Sequence, residues 1–177
     1  MGLGLARMAL YTPEERTRRD ASPWTVVQGV LAPIQFLVFL VSAALVLRYL
    51  ITGLGFEAAT TSIVIKTLVL YTIMITGCIW ERAVFGRYLF APAFYWEDFV
   101  SLIVLALHTA YLGALLCHAF VRSQMFIALV AYAAYLLNAT QFLIKLRAAR
   151  LDRGAAGLDP ASPNTRCIHS VVPGAAA

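Results

Sequence analysis

The chain has 177 residues, of which 61% are hydrophobic and 13% charged. Soluble domains carry about a quarter of their residues charged, so composition excludes an ordinary water-soluble globule and points to helices packed in lipid. The formal net charge of +5 does not indicate nucleic acid, because the basic residues gather in the tails and at the edges of apolar runs, where membrane topology accounts for them.

In chain order, residues 1–10 read as an unstructured extension, with no signal-peptide cleavage site after them. Thr12-Pro13-Glu14-Glu15 is a helix start: Thr at the N-cap, Pro at the first helical position and Glu at N3. A short charged helix on the membrane surface is expected, and Ser22-Pro23-Trp24 restarts the chain. The first span covers about Val26 to Leu50 and contains Pro33, which predicts a kink. Gln28, Gln35, Ser42 and Tyr49 recur every seven residues, and such a polar stripe faces protein rather than lipid. A Gly-rich loop leads to the second span, about Ala58 to Trp80. There Thr67, Leu70, Met74, Gly77 and Glu81 fall near one line, and Lys66 is read as snorkelling toward the outer surface.

Ile79 to Phe99, IWERAVFGRYLFAPAFYWEDF, joins spans two and three. Gly86 and Pro92 predict a short interfacial helix and a turn here. The third span is about Asp98 to Phe120, with Glu97, Ser101, His108 and Tyr111 near one face. The tight link VRSQ precedes the fourth span, about Met125 to Leu146, which carries Asn138. After residue 148 the composition is that of a disordered tail. The expected organisation is therefore an N-terminal segment over 1–25, a four-span membrane domain over 26–148 and a tail over 149–177. The fold class is all-α, an integral membrane four-helix bundle with an interfacial aromatic loop between spans two and three. Lys and Arg number eleven on the side holding both termini and this loop, against Arg48 and Arg122 on the other, with Lys66 inside. That bias places both termini and the loop in the cytoplasm.

Four groups are candidate proton carriers. Glu97 and Asp98 open a helix, where acids complement its dipole. One of them, shielded by aromatics, would be a proton donor while the other caps. Glu81 shares a face with Gly77 and Met74, the side on which a small residue lets helices approach. His108 lies about ten residues into its span, roughly 15 Å deep, where an ionisable group is a functional candidate. The aromatics form an interfacial belt, yet their density suits a large flat ligand held by Trp80, Tyr95 and Trp96. Arg82 and Arg87 would bind an anionic substituent of that ligand; Tyr111, Gln35 and Asn138 complete the expected substrate contacts. Cys78, Cys117 and Cys167 have no CxxC spacing, so neither a disulfide framework nor a metal site is expected. No nucleotide-binding motif is present, and no cofactor is expected.

The run GCIWERAVFGRYLFAPAFYWEDFVSLIVLALHTAYL, with YTPEERTRRDASPWTVVQGVLAPIQFLVFLVSAALVLRYL upstream, resembles the 3-vinyl (bacterio)chlorophyllide hydratases of bacteriochlorophyll biosynthesis, over about residues 11–150. The resemblance implies addition of water across the 3-vinyl group of a magnesium chlorin, giving a 3-(1-hydroxyethyl) substituent. It implies a bacterial inner or intracytoplasmic membrane and contacts with lipid and with other enzymes of the pathway. A membrane pigment carrier that performs no reaction, and a small four-helix transporter, are the competing readings.

Overall fold

The computed structural model describes residues 11–156, with side chains to residue 147. The helices are α1 (Pro13–Ala21), α2 (Pro23–Thr52), α3 (Phe56–Phe85), α4 (Tyr95–Leu116) and α5 (Val121–Ala156). No strand occurs among the described residues. The helices α2, α3, α4 and the Val121–Arg147 portion of α5 are each long and apolar enough to cross a membrane. Residues 1–10 and 157–177, where the extension and most of the expected tail fall, lie outside the described residues. Tyr11–Gln141 forms one compact unit, and the account below concerns it. Beyond it, α5 continues as helix to Ala156, past the expected limit at 148.

Helix α1 starts as its sequence predicts. Glu15 N–H donates to the Thr12 hydroxyl at 3.2 Å, and Thr12 N–H donates to the Glu15 carboxylate at 2.8 Å, a reciprocal capping box. Helix α2 runs unbroken through Pro33 and closes at Gly53, whose φ of 71° only glycine adopts without strain. Two other boundaries differ from expectation. Trp80-Glu81-Arg82-Ala83-Val84-Phe85 continues α3 for more than a turn past the apolar run, so the interfacial helix is the end of α3 itself. The third span stops at Leu116, not Phe120. Cys117–Phe120 is the link, closed by Ala119 N–H on Ala114 O at 2.9 Å with His118 in the left-handed region. The expected link VRSQ is instead the first turn of α5.

The bundle is apolar outside and polar within. Leu37, Val41, Leu68 and Phe126 are exposed, toward what would be lipid, whereas Gln35, Ser42, Ser62, Lys66, Thr67 and His108 are buried. The seven-residue stripe on α2 does face protein. Gln28 donates to Thr76 at 2.7 Å, Ser42 bonds both Ser62 and Tyr132, and Tyr49 packs on Phe56.

Lys66 is not snorkelling. It is 0% exposed and its Nζ donates to His108 Nε2 at 2.8 Å. His108 Nδ1 bonds the Val104 carbonyl at 2.8 Å, so Nδ1 carries the proton and Nε2 is left to accept. The same Nζ stands 4.1 Å from the Tyr135 ring centre, 5.4 Å from Tyr132 and 5.8 Å from Phe39. Side chains of all four spans thus converge on one amino group.

Replacing Lys66 by Met keeps bulk but orphans His108 Nε2, which should cost about 1–3 kcal/mol. Adding His108→Leu removes the orphan, so the double variant should be more stable than Lys66→Met alone. Unfolding curves of the three proteins in one detergent check this; a double variant no better than the single one contradicts it.

Candidate functional site

The site forms where the last turn of α3 meets the first turn of α4. Glu81 is 5% and Asp98 6% exposed, although both sit near helix ends. Loop 86–94 folds over them and spends its backbone on them. Phe90 N–H donates to Asp98 Oδ2 at 2.8 Å, and the Ala91 backbone bonds the Glu81 carboxyl. Phe90 has φ 60°, a conformation that costs a side-chain-bearing residue roughly 1–2 kcal/mol. A charge-assisted hydrogen bond of about 1.5–3 kcal/mol offsets that cost. The loop begins at Gly86 (φ 77°), whose N–H donates to Arg82 O. Arg82 Nη1 returns to Gly86 O at 2.6 Å, and its guanidinium lies 5.3 Å from the Tyr88 ring.

The two carboxyls also lie within hydrogen-bonding reach of each other. No N–H or O–H donor among the described residues meets Glu81 Oε2. Ionised carboxylates only accept, so the contact becomes a hydrogen bond only when one proton sits on the pair. With one proton on the pair, the arrangement becomes a neutral acid beside a carboxylate, a donor and an acceptor in one place.

Two groups of rings flank the pair. Tyr11, Trp80, Phe85 and Phe94 pack together: Tyr11 stacks on Phe85 at 5.8 Å, and Trp80 meets Phe85 and Phe94 edge-on at 5.8 and 5.6 Å. Trp80 Nε1 donates to Thr25 Oγ1 at 3.0 Å, and Thr25 in turn donates to Arg19 O at 2.6 Å. Trp80 therefore ties α1 and α2 to α3. Arg19 is buried, with its guanidinium 4.7 Å from the Tyr11 ring and bonded to Asp20. The second group is open. Trp96 is 68% exposed, with Tyr88, Tyr95 and Phe99 also exposed. Phe90–Tyr95, Tyr95–Trp96 and Trp96–Phe99 form a chain of ring contacts at 5.3, 5.7 and 6.4 Å. Arg87 is exposed beside this plate in sequence.

The structure thus brings Glu81, Asp98, Arg82 and the Phe90–Tyr95–Trp96 plate to one corner. Glu97 is half-buried there. Asn138 is nearby: it is buried and exchanges two hydrogen bonds with Ser101, one turn along α4, at 2.9 and 3.3 Å. His108, Tyr111 and Gln35 are interior and deeper. His108 is hydrogen-bonded to Lys66 and to the Val104 carbonyl, and both polar atoms of the Gln35 side chain are buried without a partner. Sequence reading missed the Lys66–His108 contact. Its signal was that Lys66 adjoins Thr67 on the inward line of α3. The sequence reading also assigned Cys78 no role; Cys78 stands one turn before Glu81 on the same helix.

Asp98→Ala should free the Phe90 amide, and Glu81→Ala that of Ala91. Hydrogen exchange should rise roughly ten- to a hundredfold at Phe90, from the 1.5–3 kcal/mol of a bond to a charged group, and about two- to tenfold at Ala91, from the 0.5–1.5 kcal/mol of a neutral one, with mid-α3 amides unchanged. Equal acceleration along α3 would mean that the carboxyls hold the bundle rather than the loop.

Known proteins place the chain. The family model described as 2-vinyl bacteriochlorophyllide hydratase matches residues 11–148. The 2-vinyl bacteriochlorophyllide hydratase of Rhodobacter capsulatus is 67% identical over 147 residues, 83% of this chain and 86% of the relative. That of Cereibacter sphaeroides is 65% identical over 147 residues, 83% of this chain and 92% of the relative. No solved structure matches. By the family match and by these identities over most of both chains, this chain belongs to the 2-vinyl bacteriochlorophyllide hydratase family.

Proposed function

We propose that this chain is a hydro-lyase that adds water across the vinyl group of chlorophyllide a or its bacteriochlorin counterpart, giving the 1-hydroxyethyl derivative. The locants 2 and 3 denote the same vinyl-bearing carbon in two numberings of the macrocycle. Family membership supports the reaction class, and the Glu81–Asp98 contact is the observation that carries the mechanism.

The protonated carboxyl of the pair, assigned to Glu81, gives its proton to the terminal CH2 of the vinyl group, making CH3. The positive charge left on the adjacent carbon spreads into the conjugated ring. A water attacks that carbon, and the carboxylate takes the water's extra proton, restoring the pair. No net proton or electron is consumed. Acid and base are adjacent carboxyls kept in opposite protonation states, the arrangement that lets two like groups play two roles. Glu97, at the same corner, is the alternative donor. His108 serves the interior as a hydrogen-bonding group rather than at the reacting carbon.

The flat, largely apolar pigment lies on the exposed Tyr95–Trp96 plate, with Arg87 and Arg82 offered to its propionate. This corner is at the cytoplasmic face of a bacterial inner or intracytoplasmic membrane. The N-terminal segment to residue 25 and the tail after 148 are on the same side, and surface contacts with other enzymes of the pathway are part of the reading. The exposed plate would equally hold a pigment that does not react, which keeps a carrier as the second reading.

Membranes containing only this chain are given chlorophyllide a and the pigment is weighed. A gain of one water is expected, and pigment retained at unchanged mass would favour the carrier. Glu81→Gln and Asp98→Asn should each slow hydration by roughly 10²–10⁴-fold, whereas Arg87→Ala should raise KM more than it lowers kcat. For the orientation, Cys117 is exposed at the α4 end away from the site. An impermeant maleimide should label it from outside intact spheroplasts; labelling only after lysis reverses the topology.

A further inference from the structure

The end of the bundle opposite the carboxyl pair holds a cavity that hydration does not use. It is an open-sided groove of about 820 Å³ between the last turn of α2 and the first turns of α5. These two helices scarcely approach each other by backbone, so the gap is not closed by protein. A Cβ placed at Gly53, on its rim, would meet nothing within 4 Å. Met125 is buried and forms the floor, while Leu50, Phe126 and Leu129 are exposed and form the walls. Arg122 also lines the groove, in the first turn of α5. Leu129 lies roughly 10 Å further along that helix, so the groove has a cationic mouth at the helix ends and an apolar shaft running inward. Arg122 is exposed and has no carboxylate partner: Glu57, the acid described at this end, pairs neither with it nor with the exposed Arg48.

We propose that this groove is a binding site for one anionic phospholipid, with an acyl chain along Leu50, Phe126 and Leu129 and its phosphate on Arg122. Charge and shape select that occupant together. An apolar shaft alone takes any hydrocarbon chain, but an unpaired guanidinium at its mouth favours a negative head, and guanidinium binds phosphate oxygens through two parallel N–H bonds. Basic pockets between membrane helices are recognised in this way by anionic headgroups. The volume falls in the range of roughly 300–1,000 Å³ typical of small-molecule sites. The walls belong to spans that would face hydrocarbon, so a lipid chain reaches the groove sideways from the bilayer without leaving it.

The test uses the full chain, stripped of lipid in a mild detergent and titrated with phosphatidylglycerol or phosphatidylcholine of equal chain length. The intact complexes are weighed by native mass spectrometry. One phosphatidylglycerol per chain should be retained, roughly fivefold more tightly than phosphatidylcholine, as one basic side chain at an anionic headgroup provides. Arg122→Gln should abolish that preference, and Arg87→Gln, at the other end of the bundle, should leave it intact. Leu129→Trp and, separately, Leu50→Trp fill the groove and should weaken both lipids. Inorganic phosphate in excess should not displace the lipid, because it occupies no shaft. Equal retention of the two lipids overturns the inference, as does a preference that survives Arg122→Gln or retention untouched by both Trp variants. Displacement by phosphate would reduce the site to an anion contact and overturn it as well. A dimer that both Trp variants abolish, with no lipid retained, would assign the groove to a second copy of the chain instead.

Discussion

The contact between Lys66 and His108 organises the interior. Lipid supplies no hydrophobic force between helices, so packing and interhelical hydrogen bonds must hold a membrane bundle together. Here α2 and α3 lie close along much of their length, while α3 and α4 approach each other at fewer places. The amino group of Lys66 meets Phe39 from α2, His108 from α4, and Tyr132 and Tyr135 from α5. One turn further, Ser42, Ser62 and Tyr132 repeat the arrangement with hydroxyls. A polar group stranded in such an interior is costly, and rotating any one span would strand one. The network therefore fixes helix rotation, which apolar side chains facing both lipid and neighbour leave poorly defined.

Rotation of α3 and α4 decides what their ends present. Once Lys66 and His108 are matched, Glu81 and Asp98 emerge against each other, and loop 86–94 must bend through Phe90 to supply amides to both. The strain at Phe90 and the burial of two acids are linked: the loop holds the acids out of water, and the acids hold the loop in an unfavourable conformation. An enzyme that must keep a proton on one carboxyl beside another benefits from that mutual constraint.

Much of this was legible in the residues. The seven-residue stripe on α2 and the line from Thr67 to Glu81 on α3 have the helical period, and both faces turned inward. The capping box at Thr12 formed as written. What the sequence did not reveal depended on contacts between elements. Helix ends and apolar-run ends were equated, so Glu81-Arg82-Ala83-Val84-Phe85 was taken out of the span although these residues favour helix. His118 holds a left-handed position usually given to glycine, so the end of α4 carried no recognisable stop. Helical phase pointed to Glu97 as the inward acid. Asp98 is the more buried because loop 86–94 covers its flank, which no periodicity encodes. Lys66 near a span end suggests snorkelling; only the position of α4 makes the interior available to it.

The stack of Tyr11 on Phe85 and its contact with Phe94 bear on how the protein is made. These partners are more than seventy residues apart, among the longest-range contacts of the chain. Tyr11 leaves the ribosome before any span has inserted, and its two partners mark the end of the second passage of the chain through the bilayer and the start of the third. This corner therefore cannot close during early insertion. It closes only after α3 and α4 have come to rest, so α1 precedes every span in the chain and yet is among the last helices to dock.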